Sequence, residues 1–135
     1  VLDEDTITYV IEVLGSKPLG ADRKRECQEL FSEYPTCSRL ALLWGECEPD
    51  ASDAQLALYR VARLLADRSP DPFPFDTEYS YCALALCHAK RSEFIEAIRV
   101  ALDLIELDEF DSAGLRLLIG KWASALRKQI EKRGC

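Results

Sequence analysis

The sequence predicts an all-α protein: two helix hairpins, a helical arm before them and a long helix that caps them at the C-terminal end. Three observations carry this. Apolar residues recur at i, i+3, i+4, i+7 from Ile7 to Ile130, the spacing of one helix face. The chain has only six glycines, which leaves few tight turns. The link around Arg91 and Ser92 is a few residues long, so the helices on either side of it must pack antiparallel.

Behind the acidic start Asp3-Glu4-Asp5, a charge sign that suits a helix N-terminus, Ile7, Val10, Ile11 and Leu14 mark a short amphipathic helix with Tyr9 beside the stripe. Gly15, Pro18 and Gly20 break it. Residues 1–20 therefore read as a mobile N-terminal arm on a domain of residues 21–135. A second helix from about Asp22 turns Cys27, Leu30 and Phe31 inward and stops before Pro35. The third carries Cys37, Leu40, Ala41 and Trp44 at i, i+3, i+4, i+7.

After a loop containing Pro49 and Asp50, Ser52 or Asp53 can cap a fourth helix with Leu56, Ala57, Val61 and Leu64. Ser69 to Phe75 holds three prolines and is a stiff link, with Phe73 or Phe75 packed down. The second hairpin is the clearest. Tyr81, Leu84, Ala85 and His88 share one face, and Phe94, Ala97, Ile98, Ala101 and Ile105 share another. Its order, from bulky Tyr81 through small Ala85 and Ala97 to Ile105-Glu106-Leu107-Asp108, follows the tetratricopeptide pattern of about 34 residues. Small residues at the crossings predict that Ala85 meets Ala97 and that Ala41 meets Ala57. Leu115, Leu118, Ile119, Trp122, Ala125, Leu126 and Ile130 then give one helix of about 20 residues.

Composition excludes several functions. A net charge of −7 and a pI near 4.8 argue against nucleic acid, whose phosphates are bound by clustered Lys and Arg. The six cysteines, Cys27, Cys37, Cys47, Cys82, Cys87 and Cys135, form no CxxC pair and sit in apolar periodic segments. They read as reduced core thiols, with no metal or disulfide framework. No catalytic constellation is legible: Gly15 and Gly20 form no phosphate-binding loop, and His88 points between helices as a core histidine hydrogen-bonded to a carbonyl. Asp103, Glu106, Asp108, Glu109 and Asp111 have helical spacing without a glycine turn and read as a solvated face. The expectation is a protein that is not an enzyme and needs no cofactor.

A binding surface remains. In a tetratricopeptide-like stack the concave wall comes from the first helix of each hairpin, here Ser38, Leu42 and Gly45 with Tyr79, Cys82, Leu86 and Ala89. This mix is apolar and small, suited to a partner helix or extended segment. The arm residues Ile7, Tyr9, Val10, Ile11 and Leu14 are expected to lie in that groove and regulate it.

The stretches Ser38 to Trp44, Ser52 to Asp67, Glu78 to Leu86 and Glu93 to Ala97, within about Asp22 to Arg133, resemble the cytosolic domain of the mitochondrial fission 1 protein family. Leu42, Cys87 and Ala89 stand where that family prefers an aromatic, a glycine and a tyrosine. The resemblance implies a tail-anchored adaptor on the cytosolic face of the outer mitochondrial membrane, and of peroxisomes. Such an adaptor recruits a dynamin-related GTPase or a second fission adaptor, and homodimerisation is left open. The basic run Lys121, Arg127, Lys128, Lys132 and Arg133 is the charge expected ahead of a membrane helix following Cys135. The alternative is a soluble tetratricopeptide co-chaperone or scaffold that binds a peptide segment.

Overall fold

The structure, a computed structural model, describes residues 2–68, 73, 75–107 and 113–133. The elements in order are α1 (Glu4–Glu12), a 3-10 turn (Leu14–Ser16), α2 (Ala21–Glu33), α3 (Ser38–Cys47), α4 (Asp53–Arg68), α5 (Asp76–Lys90), α6 (Phe94–Glu106) and α7 (Ala113–Lys132). The fold is all-α, with no strand among the described residues. By internal contacts the chain divides into two units, Val1–Ser80 and Tyr81–Cys135, and the arm belongs to the first.

In the first unit α3 is the enclosed element. Ser38, Leu40, Ala41, Leu42, Leu43 and Gly45 are all buried. A helix apolar all round has to be covered on every side, and both α2 and α4 pack on it. At Gly45 a methyl group would lie 2.6 Å and 2.8 Å from Cε1 and Cδ1 of Tyr59 and 3.4 Å from Leu58 Cβ. Only glycine lets the two helices approach this closely.

The predicted meeting of Ala41 with Ala57 is not made, since Ala41 is buried and Ala57 is exposed. The inner face of α4 is Gln55, Leu56, Tyr59 and Ala62. Ala57, Val61 and Leu64, assigned to that face from their periodicity, lie on the outside. Ser52 caps α4 as expected, its Oγ accepting from the Gln55 N–H at 3.1 Å. Gln55 completes the cap: Oε1 accepts from the Ala51 N–H at 2.8 Å, and Nε2 donates to the Gly45 carbonyl at 3.1 Å.

The arm is built into this unit. Asp3 caps α1 by accepting from the Thr6 N–H at 2.7 Å. Val10 and Leu14, 1% and 0% exposed, join Cys27, Cys37, Leu40, Leu43 and Phe73 in one buried cluster, with Ile7 and Tyr9 packed against it. Ile11 is 45% exposed, so the inward stripe is Ile7, Val10 and Leu14. Phe31 meets Trp44 edge-on at 6.0 Å beside the same cluster. Phe73 is the phenylalanine packed down, while Phe75 is exposed at a φ of 63°. The rest of the proline link, residues 69–72 and 74, lies outside the described residues, as do Asp108, Glu109, Asp111 and Cys135.

In the second unit Tyr81, Leu84, Ala85 and His88 are buried, the face that the spacing predicts. On α6, Ala97, Val100, Ala101 and Leu104 are buried, with Phe94, Ile98 and Ile105 half-buried. The turn between them closes by Glu93 N–H donating to the His88 carbonyl at 2.9 Å, with Ser92 at a φ of 61°. Helix α7 packs on α6 and turns Leu115 and Trp122, seven residues apart, inward. Gln129 Nε2 donates to the Ser92 carbonyl at 3.1 Å.

Leu14→Ala should cost about 2–5 kcal/mol in urea unfolding, whereas Ile11→Ala should stay within about 0.5 kcal/mol of the parent. Equal effects would mean that the arm is not part of the core. Gly45→Ala should cost about 1–3 kcal/mol by overpacking against Tyr59, and an unchanged midpoint would remove the close approach.

Candidate functional site

The residues proposed for the concave wall fall into two groups. Ser38, Leu42 and Gly45 are buried and offer a partner nothing. Gly45 faces Tyr59 of α4. Ser38 donates from Oγ to Asp76 Oδ2 at 3.1 Å. The reading of α3 as an open wall is therefore corrected. That helix is enclosed, because its apolar residues run round the whole circumference.

The α5 group stays open. Tyr79 is 49% and Leu86 42% exposed, with Cys82 and Ala89 half-buried. The four fall at i, i+3, i+7 and i+10, one face of a continuous helix. This face lies away from the buried stripe of Tyr81, Leu84, Ala85 and His88.

Tyr79 is held by a polar assembly that sequence reasoning missed. Asp76, buried at the first position of α5, accepts from Ser38 and, at 2.8 Å, from Arg39 Nε. The Arg39 guanidinium carbon lies 5.2 Å from the Phe73 ring centroid and 5.4 Å from that of Tyr79, within cation–π range. Phe75 tilts against Tyr79 at 6.2 Å. Arg39 and Asp76 are 37 positions apart, and no local pattern announces such a pair.

The arm's polar ties converge on α2. Glu26 accepts from the Tyr9 hydroxyl through Oε1 and from Lys17 Nζ through Oε2. Arg23, buried, donates to the Lys17 carbonyl at 3.2 Å and to Glu46 at 2.6 Å. Lys17 first, then Tyr9, hold the Glu26 carboxyl below its ordinary range. The bond to Glu26 raises both Tyr9 and Lys17 above theirs. The apolar groups that a regulatory arm would lay on a partner site, Val10 and Leu14 above all, are already used in the core.

His88 is buried with Nδ1 2.9 Å from Glu93 Oε1, and Arg91 Nε donates to the same oxygen at 3.0 Å. Its side-chain partner is thus a carboxylate, where a carbonyl was expected. His88 and then Arg91 lower the Glu93 carboxyl. The assembly lies on the α5–α6 turn and pins it. None of the five described cysteines is in a disulfide, and burial pushes the Cys27 thiol up to about 12, with Cys47 adding to the shift. A thiol so held has little thiolate to react. Among the described residues no group of three or more His, Cys, Asp or Glu could hold a metal ion, and no helix is long and apolar enough to cross a membrane. No protein-family model matches the chain, and no curated protein and no solved structure matches it.

The ties of the arm depend on pH with a definite sign. Glu26 and Asp3 have carboxyls lowered in the fold, Asp3 by the Thr6 N–H. Their contribution is therefore whole above the ordinary carboxylate range and is lost as the pH falls through their folded values. Tyr9 and Lys17 are raised, so their contribution is lost only as the pH rises past the ordinary Tyr and Lys values. The protection of the α1 amides, their exchange rate relative to that of an unfolded chain at the same pH, should fall on acidification below about pH 4, and Glu26→Gln should show lower α1 protection already at neutral pH. Exchange in α1 that ignores both would separate the arm from Glu26.

Proposed function

We propose that this chain is the cytosolic part of a membrane-anchored adaptor. It recruits a dynamin-related GTPase, or that enzyme's own adaptor, to the outer mitochondrial membrane, and to peroxisomes, for organelle fission. The observation that carries the reading is the α5 stripe. Two large apolar side chains, Tyr79 and Leu86, stay in solvent two turns apart on one face of a helix whose other face is buried. Such a stripe suits an apolar helix or extended segment of a partner. The resemblance of Ser38 to Trp44, Ser52 to Asp67, Glu78 to Leu86 and Glu93 to Ala97 to the fission 1 family names the class of partner. Recruitment by an adaptor asks only for complementary surface.

Because Leu42 is buried, Leu42→Asp would unfold the first unit and says nothing about binding. Leu86→Asp and Tyr79→Ala are the informative changes. Titration calorimetry against a purified dynamin-related GTPase, or a helical segment of its adaptor, should show binding abolished by Leu86→Asp, with the unfolding midpoint within a few degrees of the parent. Binding that survives Leu86→Asp unchanged would place the partner elsewhere or remove it.

A further inference from the structure

We propose that the outer face of α7 is a second docking surface, for an acidic amphipathic helix of another protein. The proposal is independent of the α5 stripe and stands or falls alone. Leu115 and Trp122 commit one face of α7 to the core. Leu117, Gly120 and Ser124 lie between about 140° and 200° round the helix from Leu115 at 100° per residue. Among the described residues that outer face alone, from Ala113 to Lys128, borders a shallow, open groove of about 850 Å³. Over those positions the helix runs about 22 Å at 1.5 Å per residue, room for some four turns of a partner helix.

The floor is made of small residues, Ala113, Gly120, Ser124 and Ala125, with one large apolar side chain, Leu117, left 70% exposed. Gly120 answers no close contact within its own chain. A Cβ built on it would meet no atom within 4 Å, in contrast to Gly45. Glycine is among the least favourable residues inside a helix, and what it offers in return is close approach by another backbone. A partner helix crossing at Gly120, with Leu117 as the knob, accounts for both.

Charge decides the kind of partner. Arg116, Lys121 and Lys128 line the groove on a chain whose net charge is −7. Lys121 and Lys128 have no carboxylate partner among the described residues. An acidic helix meets complementary charge at Lys121 and Lys128. A second copy using the same face would set these cations against their own kind. A lipid surface calls for a broad face of large apolar side chains, and this face is floored by alanine, glycine and serine.

The test is selection, on the intact chain, from a displayed library of amphipathic helices of about 18 residues with varied charge. Selected binders should be enriched in Asp and Glu flanking a small or leucine-bearing face and should weaken as salt rises. They should lose about tenfold or more in affinity to Gly120→Leu and to the double change Lys121→Glu, Lys128→Glu. Gly120→Leu should not lower the unfolding midpoint, because the new side chain enters open space. The proposal is overturned by a selection without binders, or by binders with no acidic preference or no response to Gly120→Leu. It is equally overturned if Gly120→Leu lowers the midpoint. Self-association of the parent that Gly120→Leu abolishes would assign the face to a second copy. Binding to phosphatidylcholine–phosphatidylserine vesicles through Lys121 and Lys128, with no peptide competing, would assign it to a membrane.

Discussion

The first unit depends on covering α3. Ten residues long, this helix buries Ser38, Leu40, Ala41, Leu42, Leu43 and Gly45, and a short helix with apolar groups on every side has no solvent face on which to rest. Each neighbour answers part of that need. Tyr59 of α4 fills the space that the missing side chain of Gly45 leaves. Cys27 of α2, and Val10 and Leu14 of the arm, cluster with Leu40 and Leu43. The arm is therefore recruited by α3, and its polar ties to Glu26 and Arg23 fix the direction from which it arrives.

Polar groups set the register of this cover where apolar packing alone would slide. Gln55 bridges the start of α4 to the Gly45 carbonyl near the end of α3. Asp76 joins the start of α5 to Ser38 and Arg39 at the start of α3. A buried pair such as Arg39 with Asp76 gains little net stability, because desolvation offsets much of its attraction. It does penalise every arrangement in which either charge is left alone. Ser80 shows the other side of the rule. Its hydroxyl is buried in α5 with no hydrogen-bond partner among the described residues, which makes it a local cost that the surrounding packing carries.

The second hairpin was legible in the sequence because the tetratricopeptide order of bulky Tyr81 and small Ala85 and Ala97 marks the buried stripe, although α5 also carries the exposed Tyr79 and Leu86. Tyr81, Leu84, Ala85 and His88 are buried at the spacing that marks them, and Ala97 and Ala101 follow. Helix α4 was not, because it carries two stripes with no such order to choose between them. Leu56, Tyr59 and Ala62 form one and Ala57, Val61 and Leu64 the other, and both satisfy a helical period. The choice rests on features that periodicity does not weigh: the Ser52–Gln55 cap and the match between Tyr59 and Gly45. The same match explains the fate of the predicted groove. Gly45 reads in sequence as a small wall residue, yet its lack of a side chain serves contact inside the pair. On the arm, Ile11 matched the period as well as Val10 did, and only tertiary contact separates them.

The cations of this acidic chain are put to two uses. In the first unit four of them are spent on carboxylates at close range: Lys17 on Glu26, Arg23 on Glu46, Lys24 on Glu48 and Arg39 on Asp76. Those that are half-buried hold elements in place, and their fields close on their partners within a few ångströms. On α7 the arrangement differs. Arg127 reaches Glu131 only at 3.7 Å with both side chains largely in solvent, a pair that contributes little. Lys121 and Lys128 stand along a face of small residues with no such partner among the described residues. A charge closed by a neighbour acts on the fold, while a charge left open acts on whatever approaches. By that rule Lys17, Arg23, Lys24 and Arg39 build the first unit, whereas Lys121 and Lys128 of α7, like the exposed Arg60 and Arg68 of α4, face their surroundings. The apolar stripe of α5 needs no charge of its own, because the guanidinium of Arg39 beneath Tyr79 is already neutralised by Asp76.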